Sequence, residues 1–140
     1  MIIHIVGICG RIYAHLAKEL VRLGYAVTGS DDRPMPPISD FLKENNIPCA
    51  PSFSADNLDP STGLVLANAL YPNDNVELAK ARELGIPVSN FARYLGEEFL
   101  AESRNIVVAG SYGKTTTAAM LSWIMAVSYT HLTLPTIYSV

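Results

Sequence analysis

The sequence predicts an α/β fold, a Rossmann-like parallel sheet domain followed by the truncated start of a P-loop ATPase domain, and three observations predict it. The N-terminal run from Ile2 to Thr28 reads as strand, glycine turn, helix and strand, punctuated by Gly7, Gly10 and Gly24. Short apolar runs then alternate with helix-spaced segments as far as Leu100, the pattern of a parallel sheet with crossover helices. Finally, the stretch Asn105 to Thr117, N-I-V-V-A-G-S-Y-G-K-T-T-T, joins a β-branched run to a glycine turn that ends in a lysine and three threonines.

Taken in order, Ile2 to Val6 is a buried strand, and a helix follows from about Arg11 to Leu23 with Ile12, Leu16, Leu20 and Leu23 on one face and Gly24 as its stop. A second strand, Tyr25 to Thr28, ends at Gly29-Ser30-Asp31-Asp32. Arg33 to Pro37 is a loop, because its prolines remove hydrogen-bond donors and fix φ. Ser39 to Asn45 is a short helix turning Phe41 and Leu42 inward, and Ile47 to Ala50 is a third strand. Asn57 to Ser61 is a turn cluster, and Gly63 to Ala67 a buried fourth strand. Asp74 to Leu84 is a helix with Val76, Ala79 and Leu84 inward, stopped by Gly85, and Ile86 to Val88 is a fifth strand. In the helix Phe91 to Leu100 the stripe Phe91, Tyr94, Leu95 and Phe99 reads as packing. The boundary falls near Glu102 to Arg104, giving a first domain over 1–103 and the start of a second over 104–126. There Ile106 to Val108 is a buried strand and a helix runs from Lys114 to about Ala126. Val127 to Val140 changes character and reads as a non-native tail, with a genuine extended segment as the alternative.

The totals exclude several classes. With 140 residues there is room for one domain with a real core and not for two complete ones. A net charge of -3 without a basic cluster argues against nucleic acid as a partner. No apolar run is long enough to span a bilayer, and the opening M-I-I-H-I-V lacks the basic flank of a signal peptide. Cys9 and Cys49 make neither a disulfide framework nor a metal site, so reduced thiols are expected.

Two stretches carry chemistry. Around Gly110 to Thr117 backbone N–H groups can close on phosphate oxygens, because Gly110 and Gly113 remove the Cβ atoms that would block the approach. Lys114 is placed to reach β- and γ-phosphates, Thr115 to offer a hydroxyl to Mg²⁺, and the following helix to point its positive end at the anion. A full Walker A pattern needs glycine where this chain has Val108, so the loop is the shorter G-x-x-G-K-T-T form; a plain strand-turn-helix corner is the alternative. At the other end, G-I-C-G at Gly7 to Gly10 with Asp31 24 positions after Gly7 has the layout of a nucleotide-binding unit. Its dinucleotide fingerprint is half met, since Cys9 and Ile12 stand where the second and third glycines belong. Asp31 serves either ribose or base recognition or a turn, and Asn68 either contacts a ligand beyond its strand or is a polar turn residue.

Laid together, G-I-C-G at Gly7 to Gly10, G-S-D at Gly29 to Asp31, P-P-I-S at Pro36 to Ser39, A-N-A-L at Ala67 to Leu70 and G-S-Y-G-K-T-T-T at Gly110 to Thr117 resemble the Mur ligase family over about Met1 to Ala126. The resemblance implies ATP-driven amide formation, in which the carboxylate of a UDP-linked muramic acid attacks the γ-phosphate and a peptide amine displaces the resulting acyl phosphate. It implies ATP on Gly110, Ser111, Tyr112, Gly113, Lys114, Thr115 and Thr116, with Lys114 catalytic and Thr115 on Mg²⁺. On the UDP side it implies Gly7, Ile8, Cys9, Gly10, Asp31 and Asn68. The partners implied are UDP-N-acetylmuramate and a murein tripeptide in a bacterial cytoplasm, with no nucleic acid and no membrane. Cys9, the two prolines and Asn68 favour the member that recycles the tripeptide. Its nearest rival, which adds L-alanine, usually carries glycine at the position of Cys9.

Two departures stand out. Tyr112 replaces a common histidine, and Arg11 with Ile12 replaces small residues, so that Arg11 either meets a pyrophosphate or points to solvent. The family's Mg²⁺-binding acidic residue, adenine pocket and C-terminal domain have no counterpart here, so the chain as written is expected not to catalyse ligation. The rival from another class is a non-catalytic Rossmann module for NAD or a nucleotide sugar, from which Lys114 and its threonines do not follow. A P-loop kinase or GTPase is disfavoured, because such domains begin at the strand before the loop.

Overall fold

The computed structural model describes residues 1–68 and 74–128, which fall into two compact units, Met1–Leu95 and Gly96–Val140. The first unit contains β1 (Ile2–Val6), α1 (Arg11–Arg22), β2 (Ala26–Ser30), α2 (Ile38–Glu44), β3 (Cys49–Ala50), β4 (Thr62–Ala67), α3 (Val76–Glu83), β5 (Val88–Ser89) and α4 (Phe91–Leu95). Its strands form one parallel sheet in the order β3-β2-β1-β4-β5. The chain therefore winds outward from β1 in one direction and, after β3, returns to wind outward in the other. Because such crossovers are right-handed, α1 and α2 cover one face and α3 the other.

β1 is the centre of the core because it is apolar on both faces. Ile3 and Ile5, on one face, are fully buried, Leu16 and Leu20 of α1 are buried as well, and burying such a side chain contributes roughly 1.5–3 kcal/mol. On the opposite face Val6 packs with Leu58, Val65, Ala67, Leu78, Ala81 and Ile86. Three helices end with one device. The residues after their caps, Gly24, Asn46 and Gly85, have φ of 90°, 56° and 68°, and the next residues, Tyr25, Ile47 and Ile86, donate their N–H back to Leu20, Leu42 and Ala81. Each helix is thus turned back toward the sheet.

The faces of two helices differ from the sequence reading. In α1 the buried set is Tyr13, Ala14, Leu16, Ala17 and Leu20, while Ile12 and Leu23 are exposed. Both stripes satisfy helical spacing, and the small Ala14 and Ala17 let the backbone approach the sheet on their side. In α3 Glu77, Leu78 and Ala81 are buried, and Val76, Ala79 and Leu84 face outward. Counting apolar residues misplaces this face because its largest inward contact is a carboxylate. β2 also runs further than expected, through Gly29 and Ser30.

Gly29 is in the strand because nothing larger fits there. A Cβ would lie 2.5 Å from Ile8 Cδ1 and 2.8 Å from the carbonyl oxygen of Ile5, and the backbone contact cannot swing away. Gly29→Ala is expected to cost about 2–3 kcal/mol by overpacking, read as a lower urea midpoint at unchanged slope.

The expected helix Phe91 to Leu100 is broken: α4 closes the first unit at Leu95, and the second unit opens on a π-helical turn over Gly96–Leu100. The expected buried strand Ile106 to Val108 is not formed: the stretch has no regular structure and pairs with no described residue, with Ile106 63% and Val107 83% exposed. A strand needs a ladder partner, and no described residue of this unit supplies one. α5 (Lys114–Ser128) forms as expected and continues two residues past Ala126. The remainder of the expected tail, 129–140, lies outside the described residues, as do Ala69 and Leu70.

Candidate functional site

The carboxyl ends of β1 and β4 meet where the winding direction reverses, the position at which open α/β sheets bind ligands. Three sequence-predicted groups converge there. The turn Gly7 to Gly10 leaves β1, Asn68 leaves β4, and Asp31 leaves β2. A Cβ on Gly10 would lie 3.3 Å from the Gly7 carbonyl oxygen and 3.4 Å from Asn68 Nδ2, so the turn is closely apposed to Asn68.

The turn is held from beneath. Gly7 N and Ile8 N both donate to Ser30 O, at 2.8 and 3.1 Å, and Gly10 N donates to Gly7 O at 3.1 Å. Cys9 N donates to Asp31 Oδ2 at 3.0 Å, and Arg33 N donates to Oδ1 of the same carboxylate at 3.1 Å. Asp31 is itself buried, and its N–H donates to Ala50 O. All four amides of the turn are therefore engaged within the fold. The first turn of α1 follows directly, and its N-cap, Gly10, makes no side-chain cap to its amides.

Two residues that pattern reading missed fix this edge. Tyr13 donates its hydroxyl to Ala67 O at 2.8 Å and accepts from Phe91 N at 3.3 Å, tying α1 to the ends of β4 and α4. Burial raises its pKa, against the lowering effect of the Phe91 amide. The second is Glu77, fully buried below β2. Its Oε2 accepts from Ser30 Oγ at 2.5 Å, and its Oε1 accepts from Asn57 Nδ2 at 2.6 Å and Ser54 N at 3.3 Å. His4 Nε2 stands 3.6 Å from Oε2, an ion-pair distance, and has no hydrogen-bond partner, while His4 Nδ1 lies 2.9 Å from Thr28 Oγ1. The available signal was Asn75, whose Oδ1 caps α3 by accepting from Glu77 N and Leu78 N and so sets which side of the helix faces in. Since Ser30 O carries two amides of the glycine turn, the carboxylate under the sheet supports the site above it.

Burial pushes the Glu77 pKa up, but His4, Ser30 and Asn57 outweigh it and leave the carboxyl below its ordinary value of 4.5. A depressed folded pKa means that the stabilisation is fully present above the unfolded value and is lost as pH falls through the folded one. The stability difference between the wild-type chain and Glu77→Gln is therefore expected to hold from neutral pH down to about 4.5 and to shrink below it, measured by urea unfolding across that range.

In the second unit, Lys114 opens α5 and its Nζ donates to Gly110 O at 2.7 Å and Ser111 O at 3.2 Å, closing the loop on itself. Gly113 has φ 75°, which a side chain would resist, and open space where a Cβ would stand. A short loop with its lysine folded over it and a 15-residue helix behind it fits a polyphosphate, which would replace the two carbonyl contacts of Lys114. Among the described residues no group of three or more His, Cys, Asp or Glu could hold a metal. No described helix is long and apolar enough to cross a membrane.

Several known proteins resemble this chain over most of its length. The UDP-N-acetylmuramate–L-alanyl-γ-D-glutamyl-meso-2,6-diaminoheptandioate ligase of Escherichia coli is 36% identical over 125 residues, covering 89% of this chain and 27% of that enzyme. The UDP-N-acetylmuramate–L-alanine ligase of Acetivibrio thermocellus is 39% identical over 123 residues, covering 88% of this chain and 26% of the relative. The crystal structure of a murein peptide ligase from Psychrobacter arcticus superposes with a TM-score of 0.78 at 34% identity, over 91% of this chain and 27% of that one. The chain thus spans about a quarter of the length of these relatives. The sequence profile described as "Mur ligase family, catalytic domain" matches residues 2–103, and on that match, together with the sheet order and the turn at its reversal point, the chain belongs to the Mur ligase family.

Proposed function

We propose that this chain provides the UDP-substrate-binding domain, residues 1–103, and the opening of the central ATP-binding domain, residues 104–126, of an ATP-dependent amide ligase. Its reaction joins UDP-N-acetylmuramate to L-Ala-γ-D-Glu-meso-diaminopimelate in peptidoglycan recycling, in the bacterial cytoplasm. The observation that carries this reading is the convergence of the Gly7 to Gly10 turn, Asp31 and Asn68 at the reversal point of a sheet whose relatives bear the names of UDP-N-acetylmuramate ligases.

In this reading the first turn of α1 receives the diphosphate, Gly7, Ile8, Cys9 and Gly10 shape the floor beneath it, Asp31 locks that floor, and Asn68 closes the side. Gly110, Ser111, Tyr112, Gly113, Thr115 and Thr116 cradle the ATP phosphates, with Thr115 on Mg²⁺. Lys114 leaves its loop carbonyls to neutralise charge on the transferring phosphoryl group. ATP supplies the activation of the muramyl carboxylate for attack by an amine. The isolated 140-residue chain is expected not to turn over, because the stretch before its phosphate loop is unpaired.

A second reading, addition of L-alanine, is favoured by one observation: relatives of both kinds match at similar identity, 36% and 39%. Two chimaeras, in which residues 1–126 replace the matching segment of the Escherichia coli ligase or of the Acetivibrio thermocellus ligase, separate them. ADP release with the host's own amine in the first alone supports recycling, in the second alone supports the second reading, and two folded chimaeras without release overturn both.

A further inference from the structure

Cys9 and Cys49 are 40 residues apart in sequence, yet their sulfurs lie 3.9 Å from one another. Cys9 sits in the glycine turn and Cys49 begins the edge strand β3, both partly exposed. One residue holds the two segments together: the Asp31 carboxylate accepts from Cys9 N, and Asp31 N donates to Ala50 O beside Cys49. The thiols are thus brought to near-bonding distance by the same contacts that shape the site.

We propose that Cys9 and Cys49 form a dithiol site that a low-molecular-weight disulfide oxidises to an intramolecular bond, and that closing this bond weakens nucleotide binding at the adjacent turn. The second half rests on the uridine-site reading above. A disulfide needs about 2.05 Å between sulfurs, so the pair must close by nearly half its separation. That movement draws the turn toward β3, away from Asn68 on its other side.

Burial, then Cys49 and Asp31, push the Cys9 thiol up to about 12. Burial raises Cys49 too, the contact with Cys9 lowers it and Asp31 raises it. With Cys49 as the first attacker, its thiolate displaces one thiol from the oxidant, R-S-S-R, and forms a mixed disulfide. Cys9, deprotonated as it attacks, then displaces the second thiol from the Cys49 sulfur. The protein dithiol loses two electrons and two protons, and the oxidant leaves as two RSH.

The test uses the reduced 140-residue chain, treated with oxidised glutathione and titrated with UDP-N-acetylmuramate before and after dithiothreitol. The expected result is a Cys9–Cys49 peptide cross-link in the monomer and an affinity lowered at least about tenfold, restored by reductant, with Cys49→Ser indifferent to the oxidant. Failure of the monomer to cross-link, with only glutathione adducts or linked dimers, overturns the inference and leaves the uridine reading standing. A cross-linked chain that binds as tightly as the reduced one also overturns it. A reduced chain that does not bind overturns the uridine reading and the consequence assigned to the bond, while the cross-link is still read separately by mass.

Discussion

Glu77→Ala is expected to remove about 3–5 kcal/mol of stability, about a fifth or more of the roughly 5–15 kcal/mol that holds a domain together. The carboxylate is fully buried and accepts from Ser30 Oγ, Asn57 Nδ2 and Ser54 N. Truncation leaves these donors without that acceptor and opens a cavity beside His4, whose Nε2 loses its ion-pair contact and has no hydrogen-bond partner among the described residues. Val76→Ala, one residue away on the exposed side of α3, is the control and is expected to change stability by less than about 0.5 kcal/mol. Urea unfolding of both variants decides the matter: equal, small effects would mean that Glu77 is tolerated in the core and does not organise it. Glu77→Gln is expected to fall between them, because an amide keeps the volume and one acceptor but turns a donor toward donors.

Lys114→Ala is expected to weaken ATP binding by the chain about 10- to 100-fold, the loss of a charge-assisted contact worth roughly 1.5–3 kcal/mol. The side chain now donates to Gly110 O and Ser111 O, so a polyphosphate must compete with two carbonyl contacts. Removing the lysine removes that competition together with the cation, and any net loss measures its preference for phosphate. Fluorescence titration with a labelled ATP analogue reads it. Unchanged affinity would reduce the G-x-x-G-K-T-T stretch to a strand-turn-helix corner.

The sheet was legible because its punctuation is local. Gly24, Gly85 and the Asn45-Asn46 pair announce the three helix ends that the structure forms. The alternating apolar runs likewise mark five strands, though β3 and β5 are only two residues long. What local pattern could not decide was which of two overlapping stripes faces inward. Tyr13 and Glu77 are polar-tipped residues whose burial depends on partners far along the chain, 54 residues away at Ala67 and 47 at Ser30. The expected strand at Ile106 to Val108 failed for the converse reason, because β-propensity describes a residue's fit to a ladder and cannot provide the ladder. At the site, the residue types were legible from Gly7 to Gly10 and at Asp31, but their division of labour was not. Asp31 faces the turn itself, through Cys9 N, which only the folded backbone reveals. The proximity of Cys9 to Cys49, across 40 residues, was equally invisible to spacing.

The central claim is that the carboxyl edge of the sheet between β1 and β4 receives a uridine nucleotide. Residue-resolved NMR titration of the 140-residue chain with UDP-N-acetylmuramate and, separately, with NAD tests it most directly. Saturable shifts are expected at the amides of Gly7 to Tyr13 and at Asn68 with the uridine compound and not with NAD. Equal shifts with both ligands, or shifts that leave the glycine turn and the start of α1 untouched, would contradict it.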